Sequence, residues 1–189
     1  MTVRIAKLLD LVALLLAAAW VGRAPDFDSI LTALALLSAY IFLEFKDSGR
    51  ELRLEADRKL FAEFLQALPS QTAIDFLKYL GGTMRAFPRD ALHPFDRFFH
   101  EWRDAQHTFH DAALDKKRMA FFEAVKELLL FISNETFDVG DGLQGVPNEW
   151  RATDHKRYYR VIADLDRLGA KTLEAHQDFV RTAKLQLHV

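Results

Sequence analysis

Residues 5–21 read IAKLLDLVALLLAAAWV and residues 29–45 read SILTALALLSAYIFLEF. Neither Leu11–Gly22 nor Ser29–Leu43 contains a charge. The seven residues between them, GRAPDFD, hold Pro25, which cannot continue a helix, and Asp28, a natural N-cap for the next one. The pattern is a hydrophobic helical hairpin. Each run spans roughly 25 Å at 1.5 Å per residue, the short end of what crosses a bilayer. Both are apolar all round rather than striped, which suits lipid better than a two-layer core.

Charge flanks the hairpin asymmetrically. Arg4 and Lys7 precede it, and Lys46, Arg50, Arg53, Arg58 and Lys59 follow it, while the connection offers only Arg23 against Asp26 and Asp28. By the positive-inside rule both ends face the cytoplasm, and Trp20 falls where the first helix meets the opposite interface. A cleaved signal peptide fits poorly, because Asp10 interrupts the apolar run and a second hydrophobic helix follows at once. The expected division is a transmembrane hairpin over 1–46 and a cytoplasmic helical domain over 47–189. Ala13 and Ala17, and Ala35 and Ala39, put small residues one turn apart, the spacing that lets helices approach closely in lipid. Lys7 and Asp10 share a face, so Asp10 is either neutralised in its own chain or lines the mouth of an oligomeric pore.

Composition agrees with two unlike regions. The 189 residues are 50% hydrophobic and 28% charged, with 25 basic and 27 acidic side chains. Residues 1–45 hold three of those bases and four of those acids, leaving 22 and 23 for the remainder. A mean hydropathy of −0.05 is therefore an average over a membrane-like segment and a charge-rich one. A net charge of −2 argues against nucleic-acid binding by bulk charge. The absence of cysteine excludes a disulfide framework, a thiolate zinc site and a cysteine nucleophile.

The rest reads as helix. Ser48-Gly-Arg-Glu51 is a capping-box pattern, followed by Leu52, Phe61, Phe64, Leu65 and Leu68 up to Pro69. Ser70 is positioned to cap a short helix that Gly81-Gly82 ends. A third helix is expected from Phe95 through Asp111, a fourth over 115–133 with Met119, Phe122, Val125, Leu129 and Ile132 inward, and a last from Asp154 towards Leu187. That last helix turns Ile162, Leu165, Leu168, His176, Phe179 and Ala183 to the core. No window alternates over a strand's length, so no sheet is expected. The fold class is all-α, a two-helix transmembrane hairpin followed by a four- to five-helix cytoplasmic bundle.

Three constellations bear on chemistry. On a helix through 95–111, Asp96, His100, Asp104, His107 and Asp111 would form a stripe opposite Phe95, Phe98, Phe99, Trp102 and Phe109, with spacings that also suit metal ligands. The favoured reading of that stripe is a solvated face, and no metal or cofactor is assigned. Arg103 and His110 have six residues between them, a pattern similar to the Arg-x4–6-His signature of HEPN ribonucleases. In that chemistry His moves the proton of the 2′-hydroxyl or leaving oxygen, and Arg stabilises phosphoryl charge. The same spacing recurs at Arg181 and His188. The glycine-rich stretch 138–148, DVGDGLQGVPN, lacks a GK[ST] phosphate cradle and reads as a linker. Just past it, Trp150, Arg151, Tyr158 and Arg160 have the chemistry to stack and pair with a nucleobase or phosphate.

The layout as a whole resembles a known group. A hairpin turning through PDFDSILTALALLSAYI, then a helical domain carrying FISNETF, VPNEWR and HQDFVRTAKLQL, is similar to small bacterial two-transmembrane proteins of antiviral defence loci. These include membrane effectors of retron and cyclic-nucleotide signalling systems and the pore-forming helper of some RNA-targeting CRISPR nucleases, which joins a membrane segment to a HEPN-like domain. The resemblance implies an inner-membrane homo-oligomer that permeabilises or depolarises the membrane when a defence-system protein, nucleotide or RNA triggers it. The alternatives are a membrane-tethered HEPN-type ribonuclease and a non-enzymatic membrane anchor or adaptor.

Overall fold

In the computed structural model the backbone is described for residues 2–23, 27–80 and 85–189, and side chains for residues 11–22, 28, 30–42, 49–80 and 85–189. The chain divides into two units, Met1–Arg53 and Leu54–Val189. The first contains α1 (Thr2–Arg23) and the start of α2 (Phe27–Ala67). Ala17 is the one buried side chain among the described residues of this unit, while Leu15, Leu16, Leu31, Leu34 and Phe42 are more than half exposed. Asp28 lies in the first turn of α2, where its charge complements the helix dipole rather than capping. The side chains of Lys7 and Asp10, and Pro25, lie outside the described residues. Among the described residues no helix is long and apolar enough to cross a membrane. The described uncharged runs, 11–22 and 30–42, each measure roughly 18–20 Å, against the ~30 Å of a hydrocarbon core.

The expected helix start at Ser48 does not occur. α2 continues through Ser48-Gly-Arg-Glu51, because a single glycine costs only about 1 kcal/mol and the following residues are strong helix formers. α2 stops at Ala67, and Pro69 precedes α3 (Ser70–Tyr79), so Ser70 opens the helix from inside rather than capping it. After α3 come β1 (Ala86–Pro88), a 3-10 turn (Arg89–Leu92), α4 (His93–Glu101) and a second 3-10 turn (Ala105–His107). Then follow α5 (Ala112–Glu135), β2 (Phe137–Gly140), β3 (Leu143–Gly145), the single turn α6 (Trp150–Thr153) and α7 (His155–Leu187). Gly81-Gly82 lies outside the described residues.

The expectations for the third helix and for the glycine-rich stretch fail in this unit. The third helix ends at Glu101, not Asp111, so Asp104, His107 and Asp111 do not continue the face of Asp96 and His100. The glycine-rich stretch is not a linker but supplies two strands of a three-stranded antiparallel sheet, ordered β1-β3-β2. Its strands are three or four residues long, too short for alternation to show. The turn is made by Gly140, Asp141 and Gly142 at φ of +98°, +53° and +73°, so two of the three left-handed positions fall on the residue without a Cβ. Gly145 is required for a different reason: a Cβ there would lie 2.6 Å from the Arg85 carbonyl oxygen.

The core of this unit is aromatic. Phe64 of α2 meets Phe179 of α7 at 4.8 Å, Trp102 after α4 at 5.5 Å, Phe98 of α4 at 5.7 Å and Phe121 of α5 at 6.0 Å between ring centroids, all edge-on. Leu165, Leu168, His176, Phe179 and Ala183 of α7 are buried as their spacing predicts, and Ile162 is half-buried. In α5, Phe122, Val125 and Ile132 face inward, but Met119 is exposed and Arg118 takes the buried place one residue before it.

Candidate functional site

The segment carrying Arg103 and His110 is held by two carboxylates of neighbouring helices. Asp57 of α2 is 3% exposed, and its oxygens accept the backbone N–H of His110 (2.8 Å) and of Asp111 (3.0 Å). Asp115 of α5 accepts the N–H of Phe109 (3.2 Å) and the Arg118 guanidinium (2.7 Å), and Arg118 donates to the Trp102 carbonyl (3.0 Å). Asp111 then caps α5, accepting from the N–H of Ala113 and Leu114, both at 2.9 Å. The three consecutive backbone N–H groups of Phe109, His110 and Asp111 are thus satisfied by side chains, which is what irregular backbone without ladder bonds requires.

The imidazole of His110 stays exposed and lines a cavity of about 250 Å³ with Asp57, Lys59, Glu63, Gln106 and Thr108. Arg103 is exposed and does not line it. Neither residue sits on a helix, so the helical-wheel proximity expected for them does not apply. Chemically, the arrangement offers an exposed imidazole on a fixed backbone, in a cavity also lined by a carboxylate and an ammonium group. Asp57 and Arg118 escaped the sequence reading although a signal was present. Asp57 falls at the stripe spacing of Phe61 and Phe64, and Arg118 at that of Leu114, Phe121 and Val125, so each is a charge on an apolar face.

The candidates around the glycine-rich stretch do not form one site. Tyr158 is 1% exposed and belongs to the core. The Trp150 ring is already covered: the Arg157 guanidinium lies 3.8 Å from its centroid, and Phe137 meets it edge-on at 5.6 Å. Arg157 is itself fixed by Glu135 at 3.0 and 3.3 Å. Arg151 and Arg160 are exposed on the outer surface of this region.

In the first unit, Ala13 is half-buried and Ala17 buried, whereas Ala35 and Ala39 are exposed on the outer face of α2. Within the unit α1 and α2 also flank an apolar groove of about 340 Å³ between Leu14, Ala18 and Val21 on one side and Ile30, Ala33 and Leu37 on the other.

His176 stands apart from all of these. It is 1% exposed, its ring lies 6.0 Å from Phe64 and 5.3 Å from Phe121, and neither ring nitrogen has a hydrogen-bond partner. Burial pushes its pKa down to about 4, so it is neutral at physiological pH. Each unmade hydrogen bond at such a group costs about 1–3 kcal/mol. Among the described residues no group of three or more His, Asp or Glu is arranged to hold a metal ion. No family model, no curated protein and no solved structure matches the chain.

Proposed function

We propose that the protein is a membrane effector: a homo-oligomer of the bacterial inner membrane, both ends cytoplasmic, that forms a pore or depolarises the membrane when its helical unit is triggered. The observation that supports this best is the aliphatic exterior of the first unit. Leu15, Leu16, Leu31, Leu34 and Phe42 are all exposed on a two-helix body with only Ala17 buried among its described side chains. Such a continuous apolar surface suits lipid or neighbouring copies rather than water. The hydroxyls of Thr32 and Ser38 agree, each donating at 2.8 Å to the carbonyl four residues earlier. That arrangement satisfies a hydroxyl where no water can. With residues 5–10 and 43–45 the two runs reach the roughly 25 Å quoted above.

A two-helix hairpin cannot enclose a water path alone, so a pore requires several copies about an axis. The exposed Ala35 and Ala39 supply a face for close approach between copies, while Ala17 serves the hairpin itself. The trigger would be a defence-system protein, a nucleotide or RNA acting on the helical unit. In the test, induced expression collapses membrane potential and the protein resists alkaline extraction. Recovery of the chain in the soluble fraction as a monomer refutes the reading. Ala39→Leu should weaken depolarisation several-fold with the hairpin intact.

A second reading, the membrane-tethered ribonuclease, draws on the exposed imidazole of His110 over a backbone fixed by Asp57. It requires that Arg103→Ala or His110→Ala abolish growth inhibition with oligomers unchanged, and it fails if inhibition persists. An anchor or adaptor would instead be silent when expressed alone.

A further inference from the structure

The first two turns of α7 carry charge of the sign that a helix start disfavours. Lys156, Arg157 and Arg160 fall there, and the first turn holds no acidic residue. The N-terminal end of a helix is electropositive, so cations in its opening turns lower its stability where acids would raise it. Arg157 has a local reason to be present, since it covers the Trp150 ring and pairs with Glu135. Lys156 and Arg160 have none. Both are exposed, and neither has a carboxylate partner among the described residues. The acids nearest in sequence are committed elsewhere: Asp154 caps the helix through the Arg157 N–H at 3.1 Å, and Asp164 is held by Arg167 at 3.2 Å.

An aromatic pair stands beside these cations. The rings of His155 and Tyr159 lie 4.5 Å apart, and the buried Tyr158 meets Tyr159 edge-on at 5.3 Å. That packing steadies the Tyr159 ring although it is 43% exposed. Residues four apart share a helix face, so His155 and Tyr159 form one column and Lys156 and Arg160 the next, about 100° round the axis. Each column repeats about every 6 Å. An extended single strand of nucleic acid offers the complementary pair of repeats, flat bases along one side and phosphates along the other.

We propose that this face of α7 binds single-stranded nucleic acid. One base stacks on the exposed Tyr159 ring beside His155, and the flanking phosphates meet Lys156 and Arg160. Arg151, exposed in the turn before α7, adds a third cation just upstream. Trp150 and Tyr158 take no part, the one being covered and the other buried. A lipid headgroup supplies phosphate but no flat ring to stack, and a duplex keeps its bases stacked inside. With a net charge of −2 on the chain, the attraction is local. The site lies wholly within the helical unit. It rests on the reading of RNA as a trigger only for its biological role, and its failure leaves the extraction and depolarisation tests of the membrane reading untouched.

The probe is a fluorescein-labelled oligouridylate, added to the full chain in a non-ionic amphipathic polymer and followed by fluorescence anisotropy. Binding is expected with a Kd between about 1 and 100 µM, weakening with salt at a log–log slope of about −1.4 to −2.1 for two or three phosphate contacts. Lys156→Glu combined with Arg160→Glu should weaken binding at least about tenfold and flatten that slope. The same changes suit the helix dipole, so the urea midpoint should hold or rise, which separates lost binding from lost folding. Tyr159→Ala should weaken binding about tenfold and Tyr159→Phe hardly at all, whereas an abasic strand should bind the parent and Tyr159→Ala alike. The proposal is overturned if the oligouridylate does not bind at about 100 µM chain, if either the charge reversal or Tyr159→Ala binds it like the parent, or if a duplex of equal length binds as tightly. Phosphatidylserine vesicles that bind the parent but not the charge-reversed chain, with no oligouridylate bound, identify a membrane surface and overturn it equally.

Discussion

At the scale of single residues, two buried polar groups are handled in opposite ways. Asp57 accepts two backbone N–H groups; His176 is neutral, and the protein gives its ring nitrogens no partner. For Asp57, removal strands two backbone N–H groups and unpins the irregular segment before α5. Asp57→Ala should therefore cost about 2–4 kcal/mol in urea unfolding and expose the 103–111 segment to proteolysis before global unfolding. For His176, the folded-state pKa of about 4 lies below the ordinary 6.5. Between those values the unfolded chain takes up the proton and the folded chain does not, so stability is complete above 6.5 and falls as pH drops towards 4. The loss is on the order of 3 kcal/mol. His176→Phe should flatten the urea midpoint between pH 6.5 and 4.5 relative to the parent chain; parallel slopes would show that the imidazole is not responsible. Asp178 acts in a separate window, because its lowered carboxyl loses its contribution only below its ordinary 3.8.

At the scale of elements, long periodic stretches were legible and short aperiodic ones were not. Leu165, Leu168, His176, Phe179 and Ala183 announce α7 because five positions at helical spacing agree on one face. α4 has only nine residues, and the aromatic and polar positions beyond Glu101 happen to keep its rhythm although the backbone turns away. The sheet hides for another reason: the Asp141-Gly142 pair is a hairpin signal, but each flanking strand is too short to corroborate it. The same limit applies to the candidate sites. Arg103 and His110 were found by spacing, whereas Asp57, the residue that fixes His110, was passed over because a charge on an apolar face interrupts the pattern being sought. Gly145 offers a direct check of the sheet. Gly145→Ala puts a methyl group 2.6 Å from the Arg85 carbonyl oxygen, so β1 and β3 must separate. Backbone amide exchange should rise at Phe87 and Gln144 while α5 and α7 keep their protection. In the first unit, Ala17→Leu overpacks a buried position at about 1–3 kcal/mol and should disrupt the hairpin itself.

At the scale of the whole molecule, the two units distribute their apolar side chains differently. The helical unit buries a dense aromatic centre, and the first unit leaves its aliphatic side chains outside. Extraction is the measurement that weighs them together: a chain that needs detergent, and emerges as a particle several times 21.7 kDa after detergent mass is subtracted, fits the proposed assembly. The small sheet also sets an order of events. β1 pairs with β3 through Phe87 and Gln144, and everything from the first 3-10 turn to the end of β2 lies between them in the chain. Closing that loop is entropically unfavourable until α4 and α5 have docked. β1 is therefore a clasp fastened late in folding, with the exposed Arg89–Asp138 ion pair across its end. It should be the first part of the helical unit to let go when the molecule is stretched or warmed.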